Sequence, residues 1–64
     1  MILNGEKLKQ LRLSRNLSQF KLGLEVDLTQ QQVNKIEHNC YKRLYFCTVY
    51  KLAKFFNVKM EDLL

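Results

Sequence analysis

Residues 17–37 constrain the fold more than any other part of the chain. Ser18 opens a run in which Leu22 and Val26 lie four residues apart, the spacing that places two side chains on one face of a helix. The next two residues interrupt this run, and a second amphipathic run follows. The pattern therefore predicts two short helices joined by a tight turn.

The start of the second run carries a signal of its own. Thr29 and Gln32 fit the Ser/Thr-x-x-Glu/Gln capping box, in which each side chain accepts a hydrogen bond from the other residue's backbone N–H. Val33 and Ile36 then supply the buried stripe of this helix. Two such helices, with the apolar Leu28 in the corner between them, form a helix-turn-helix.

The spacing within this motif is more specific than the helix pattern alone. Counting from Gln19 as the first position, apolar residues fall at the fourth, eighth, tenth, fifteenth and eighteenth positions, and a small residue falls at the fifth. The matching residues are Leu22, Gly23, Val26, Leu28, Val33 and Ile36. We expect a small residue at the fifth position because the second helix crosses closely over the first.

On these residues the chain resembles the Cro/XRE type of helix-turn-helix protein, to which phage repressors belong. The resemblance rests on Leu17-Ser18-Gln19, Leu22-Gly23, Leu28-Thr29, Val33, Ile36-Glu37, Leu52-Ala53-Lys54, Val58 and Glu61-Asp62-Leu63-Leu64. It implies an all-α fold, a compact five-helix bundle of the lambda-repressor-like type, with residues 1–64 as a single DNA-binding domain.

Two residues depart from the family pattern. Asp27 stands where the turn usually has Gly, and Asn39 replaces a common Gly after the second helix of the motif. Asp and Asn are the non-Gly residues that best tolerate a left-handed backbone, so we expect both bends to survive. The loop between Glu37 and Phe46 is also about one residue longer than is usual and lacks the usual Pro.

The other three helices follow from simpler signals. Asn4 is an N-cap candidate for the first helix. The fourth helix is predicted from about Phe46 or Thr48 to Phe56, with Asn57 as its stop, and a short last helix from Met60 to Leu64.

The composition agrees with a small nucleic-acid-binding domain. The 64 residues carry 11 Lys and Arg against six Asp and Glu, a formal charge of +5. A basic surface alone is usually just solvated, but beside a helix-turn-helix pattern we favour DNA as the partner.

No apolar run approaches the ~20 residues needed to span a bilayer, and the N-terminus lacks a signal-peptide pattern. We therefore expect a cytoplasmic protein with no membrane partner.

The metal-binding side chains are too few for a site. Cys40 and Cys47 are the only cysteines and His38 is the only histidine, whereas structural zinc sites usually need four ligands. We expect no metal, no cofactor, no small-molecule ligand and no disulfide. Cys47, close to apolar Phe46 and Val49, is predicted to be a small core residue.

The polar side of the helix that begins near Thr29 is the candidate base-reading surface. With Val33 and Ile36 pointing inward, the predicted base contacts are Gln30, Gln31, Asn34 and Lys35. Amides can pair with adenine N6 and N7, while Lys can reach guanine acceptors or phosphate. Gln32 ranks lower because the capping box occupies its amide.

Three residues are candidates for contacts with the DNA backbone. Gln19 begins the first helix of the motif, where its amide and free backbone N–H groups can hold a phosphate. Lys42 and Arg43 follow the recognition helix and should lie along the phosphates. The alternative for this pair is that both are ordinary loop charges.

The resemblance also implies a structural ion pair. In the family, the residues at the positions of Arg12 and Glu37 typically pair across the first and third helices. Guanidinium and carboxylate match as a fork of two hydrogen bonds.

A dimer interface is predicted at the C-terminus. Tyr50 and Phe55 lie on the flanks of the fourth helix, and Met60 and Leu64 add apolar surface. Exposed apolar patches commonly mark interfaces. The alternative is that Phe55 folds back into the core.

These features together favour a sequence-specific, dimeric transcriptional regulator, most simply a repressor that occupies a palindromic operator. Phage, restriction-modification control and antitoxin roles all fit a chain of this kind. The alternative is an interaction module that keeps the fold and regulates a partner protein without binding DNA, for which the glutamines are poorly suited. An enzyme is disfavoured by the lone histidine and the lack of paired acids or a phosphate-binding glycine loop.

Overall fold

The computed structural model describes residues 2–41 and 43–64. These residues form no strand; they form α1 (Gly5–Ser14), α2 (Gln19–Val26), α3 (Gln30–Glu37), α4 (Phe46–Phe56) and a C-terminal 3₁₀ helix (Met60–Leu63). The predicted all-α fold with a helix-turn-helix is confirmed. There are four α-helices rather than five, because the last predicted helix is a single turn held by i to i+3 bonds, such as Asp62 N–H to the Lys59 carbonyl.

Side-chain caps define the starts of the first three helices. Asn4 caps α1 and Ser18 caps α2, each accepting hydrogen bonds from backbone N–H groups of the first turn. The predicted capping box of α3 is present, with the Thr29 hydroxyl 3.1 Å from Gln32 N and the Gln32 amide oxygen 2.9 Å from Thr29 N. The N-terminal ends of these three helices are therefore set by local sequence.

Asn and Asp residues make the bends between the helices. Asn16, Asp27, Asn39 and Asn57 all have a positive φ, between 56° and 61°. The expectation that Asp27 and Asn39 would support these bends is confirmed. Asn39 also accepts a hydrogen bond through Oδ1 from the backbone N–H of Gly5, at 3.0 Å. A glycine at position 39 could not tie the start of α1 to the end of α3 in this way.

The core draws on every helix. Its buried apolar side chains are Leu3, Leu8, Leu22, Val26, Val33, Ile36, Val49, Leu52, Ala53, Phe56 and Leu63. The prediction that Cys47 belongs to this core is wrong, since its side chain is exposed. Two residues advance a helix by about 200°, so Cys47 points away from the core when Val49 points into it.

Position 23 requires a small residue for a different reason from the one expected. A Cβ at this position would lie 2.4 Å from the carbonyl oxygen of Leu28. The Leu28 N–H also donates to the Gly23 carbonyl at 2.8 Å. The turn backbone, before α3 begins, therefore excludes a side chain here.

Arg15 closes the C-terminal end of α4. Its guanidinium donates to the carbonyls of Phe55 and Phe56 at 2.9 and 3.0 Å, and it lies over both rings. Carbonyls at a helix end lack partners within the helix, so this contact satisfies groups that water would otherwise bind.

In the described ranges the longest helix has 11 residues, too short for a membrane crossing.

Candidate nucleic-acid interface

The exposed side of α3 presents a continuous polar surface. Val33 and Ile36 are buried against the other helices. The opposite side carries the four predicted base-contacting residues, all exposed: Gln30, Gln31, Asn34 and Lys35. Together with Gln19 of α2 they line one shallow depression. The fold therefore brings the predicted base contacts and one predicted phosphate contact to a single surface, which we call the α3 face.

The α3 face has no exposed acid within the helix itself. Glu37 is the acidic residue of α3, and only 6% of it is exposed. The remaining ionisable side chain of the helix is Lys35. The face is therefore formed by amides and one cation, a combination that suits base edges and phosphates.

A buried ion pair fixes the end of α3 to α1. Arg12 Nε lies 2.6 Å from Glu37 Oε2, and Arg12 Nη2 lies 3.1 Å from Glu37 Oε1. The third guanidinium nitrogen donates to the carbonyl of Leu17 at 2.7 Å, just before α2 begins. Arg12 is 8% exposed, so one cation links α1, the segment before α2 and the end of α3 in a largely dry environment.

Gln19 takes part in this network. Its Nε2 donates to Glu37 Oε1 at 3.1 Å, and its Oε1 accepts from Asn34 Nδ2 at 3.3 Å. Its side chain therefore bridges the first turn of α2 to α3. A continuous set of hydrogen bonds leads from buried Arg12 to the exposed amide of Asn34.

The C-terminal end of α3 is closed by His38. Its Nδ1 lies 2.8 Å from the carbonyl oxygen of Asn34. A carbonyl only accepts hydrogen bonds, so Nδ1 carries the proton in this contact. His38 is exposed and belongs to the helix end rather than to the depression.

The loop after α3 carries the other predicted phosphate contacts. Lys42 lies outside the described residues. Arg43 is exposed and, with Tyr41 and Tyr45, lines a pocket that Gln32 and Ile36 of α3 also line. Arg43 therefore lies beside the recognition helix.

The predicted dimer residues fall into two groups. Tyr50 and Leu64 are 47% and 49% exposed. Phe55 and Met60 are half-buried and pack against the core. The Phe55 ring meets Phe56 edge-on, with the centroids 5.0 Å apart.

Sequence reasoning missed two features around α3. Phe20 and Leu24 are 58% and 62% exposed and line a depression beside Gln30 and Gln31. Their i, i+4 spacing, outside the buried stripe of α2, was the available signal. Gly5 was also missed: a Cβ there would lie 2.3 Å from the carbonyl oxygen of Ile36.

The part of the chain that the structure describes contains no cluster of three His, Cys, Asp or Glu side chains that could hold a metal ion.

Comparison with known proteins agrees with this geometry. The family model described as helix-turn-helix matches residues 8–63. No curated protein matches the chain. Among solved structures, the restriction-modification controller protein C.AhdI from Aeromonas hydrophila is similar with a TM-score of 0.83 and 25% identity, over 94% of this chain and 89% of that one.

A second solved structure shares the fold. It is that of SinR, the master regulator for biofilm formation, in complex with DNA. The TM-score is 0.81 at 21% identity, over 95% of this chain and 94% of that one. With the family match across most of its length and the helix-turn-helix in place, the chain belongs to the helix-turn-helix family as a DNA-binding transcription regulator of the Cro/XRE type.

Proposed function

We propose that this regulator is a dimeric, sequence-specific repressor that inserts α3 into the major groove of a palindromic operator. The observation that carries the proposal is the α3 face, on which Gln30, Gln31, Asn34 and Lys35 line one surface with no exposed acid. Bound there, the repressor would exclude polymerase from an overlapping promoter. The likeness to a restriction-modification controller supports a control role of that type over the phage and antitoxin roles.

Contacts with phosphate would hold α3 in register. Arg43 lies beside α3 and is exposed. Lys42, outside the described residues, is proposed to act with it. Gln19 stands at the first turn of α2, where unpaired N–H groups favour an anion.

Selection of bound duplexes from a random DNA pool tests the proposal. A dimer with two recognition helices predicts inverted half-sites with centres about one helical turn, ~34 Å, apart. A pool that stays random after several rounds would contradict sequence-specific binding. It would leave the alternative in which the same fold regulates a partner protein without binding DNA.

Gln31 is expected to read a base. It is exposed in the first turn of α3, the part of a recognition helix that meets base edges. Gln31→Ala should weaken operator binding by ~1–3 kcal/mol and relax the choice at one base pair. Titrations on operator and random duplexes measure this, with exposed Gln10→Ala on α1 as the control. Equal losses on both duplexes would mean that Gln31 contacts only the backbone.

Arg43 is expected to act through phosphate. Arg43→Ala should weaken binding by a similar factor on every sequence, since a phosphate contact carries no base information. The slope of log K against log salt concentration should fall by ~0.9, the value for one contact. Exposed Lys9→Ala on α1 is the control. An unchanged slope would place the Arg43 guanidinium away from the DNA.

The dimer is expected to use the exposed part of the C-terminal apolar surface. The proposed interface comprises Tyr50 and Leu64, with the half-buried Phe55 and Met60 beside them. Tyr50→Glu should dissociate the dimer in sedimentation at micromolar concentration, because it introduces a charge into a desolvated contact.

Leu13→Glu is the matched control for this dimer test, since Leu13 is an exposed apolar residue of α1. It should leave the dimer intact. A wild-type monomer on operator DNA, or a Tyr50→Glu variant that dimerises as well as the wild type, would contradict this interface.

A further inference from the structure

We infer that Gln19 is a positioning residue that fixes the orientation of the Asn34 amide, and that Glu37 dictates this orientation through Gln19. The inference rests on the proposed function, in which Asn34 reads a base. It assigns a specificity-determining role to a side chain in α2, a helix that itself need not touch a base.

The network begins at the buried ion pair. A carboxylate accepts hydrogen bonds and cannot donate them. Both oxygens of Glu37 accept from the Arg12 guanidinium, at 2.6 and 3.1 Å. Oε1 also accepts from Gln19 at 3.1 Å, so the group of Gln19 that faces Glu37 must be its NH₂.

The orientation of the Gln19 amide in turn fixes the orientation of the Asn34 amide. With its NH₂ on Glu37, Gln19 turns its carbonyl oxygen toward α3, 3.3 Å from Asn34 Nδ2. An oxygen accepts only, so the group of Asn34 that faces Gln19 is also its NH₂. The carboxylate of Glu37 thereby determines the orientation of two successive amides.

The outcome is a defined hydrogen-bonding edge on the exposed side of Asn34. One amide proton is held by Gln19, which leaves Oδ1 and the second proton for DNA. That pair of one acceptor and one donor is what adenine N6 and N7 require. Because the amide is ordered before DNA binds, it also loses less rotamer freedom on binding.

Positioning by Gln19 and phosphate binding by its side chain predict different effects on DNA recognition. If the side chain bound a phosphate, its removal would weaken binding equally on all sequences. If it positions Asn34, its removal would relax the preference at the base pair read by Asn34 and leave the other positions unchanged.

The test compares Gln19→Met, which keeps the length of the side chain but removes both polar atoms, with Asn34→Ala. Selection with Asn34→Ala identifies the base pair that Asn34 reads. Gln19→Met should lower the preference at that same base pair by about fivefold or more. The double variant should lose no more preference than Asn34→Ala alone, because the two residues act as one unit. Gln10→Met, the same change on the exposed side of α1, is the control.

Amide-proton exchange in the free protein gives a readout that needs no DNA. Gln19→Met should speed exchange of the Asn34 side-chain protons, while thermal unfolding confirms that the variant stays folded. Unchanged exchange, or effects of Gln19→Met and Asn34→Ala that simply add, would overturn the positioning role. A wild-type protein that selects no site would instead overturn the proposed function, whatever the exchange result.

Discussion

Glu37→Ala is expected to lower the free energy of unfolding by about 3–5 kcal/mol, the usual cost of removing one partner of a buried ion pair. The variant would leave the Arg12 guanidinium, in a residue only 8% exposed in the wild type, without its carboxylate, and Gln19 without an acceptor. A domain of 64 residues has a total stability of roughly 3–10 kcal/mol by the average per residue. If the wild type lies at the lower end of this range, much of the variant should be unfolded at 25 °C.

Urea unfolding followed by circular dichroism measures this loss. Exposed Glu25→Ala on α2 is the control and should change the free energy of unfolding by less than ~0.5 kcal/mol. The double variant Arg12→Met with Glu37→Leu removes the ion pair without leaving an unpaired buried charge. It therefore separates the contribution of the pair from the cost of the unpaired charge. It should recover most of the stability, because a hydrophobic pair often replaces a buried ion pair at little cost. A loss below ~1 kcal/mol in Glu37→Ala would mean that water reaches Arg12.

Gly5→Ala is expected to destabilise the protein by about 2–3 kcal/mol, combining overpacking with the loss of a hydrogen bond. Ala normally favours a helix over Gly by ~1 kcal/mol, so helix propensity alone predicts that Gly5→Ala stabilises the protein. The added Cβ would lie 2.3 Å from the Ile36 carbonyl oxygen and 2.6 Å from that of Glu37. Both are backbone atoms, so no side-chain rotation relieves the contact. Moving α1 away would also break the bond from Gly5 N to Asn39 Oδ1.

The same urea unfolding experiment shows whether Gly5→Ala destabilises or stabilises the protein. Gln10→Ala, exposed on the same helix, should be neutral or slightly stabilising. A Gly5→Ala variant at least as stable as the wild type would show that α1 and α3 can separate without cost. Because the contact lies at the end of α3, the destabilised variant should also bind operator DNA more weakly at 37 °C than at 10 °C, relative to the wild type.

Most of the features predicted correctly have local causes. The capping box of Thr29 and Gln32 involves residues three positions apart, and the inward face of α3 follows from the spacing of Val33 and Ile36. The bend at Asp27 depends on one backbone conformation that Asp tolerates. Such features need only a few neighbouring residues, so they can be recognised in the chain without its fold.

The Arg12–Glu37 ion pair is different, since it spans 25 positions. Its prediction came from a resemblance to a family, and no local pattern indicates it. The five-element order followed both from the resemblance and from signals along the chain, but neither indicated the 3₁₀ geometry of the last element. That element, Met60–Leu63, is a single turn held by i to i+3 bonds.

The sequence by itself determined which faces of the two helices of the helix-turn-helix are buried and which side of α3 is polar, because amphipathic spacing specifies a face. It left open what lies opposite each face. The contact of Gly5 with the end of α3, the bonds from Arg15 to the end of α4 and the link from Gln19 to Asn34 join residues 15 to 41 positions apart. Only the tertiary structure decided these contacts, because each requires two elements to meet at one distance and orientation that no single segment encodes.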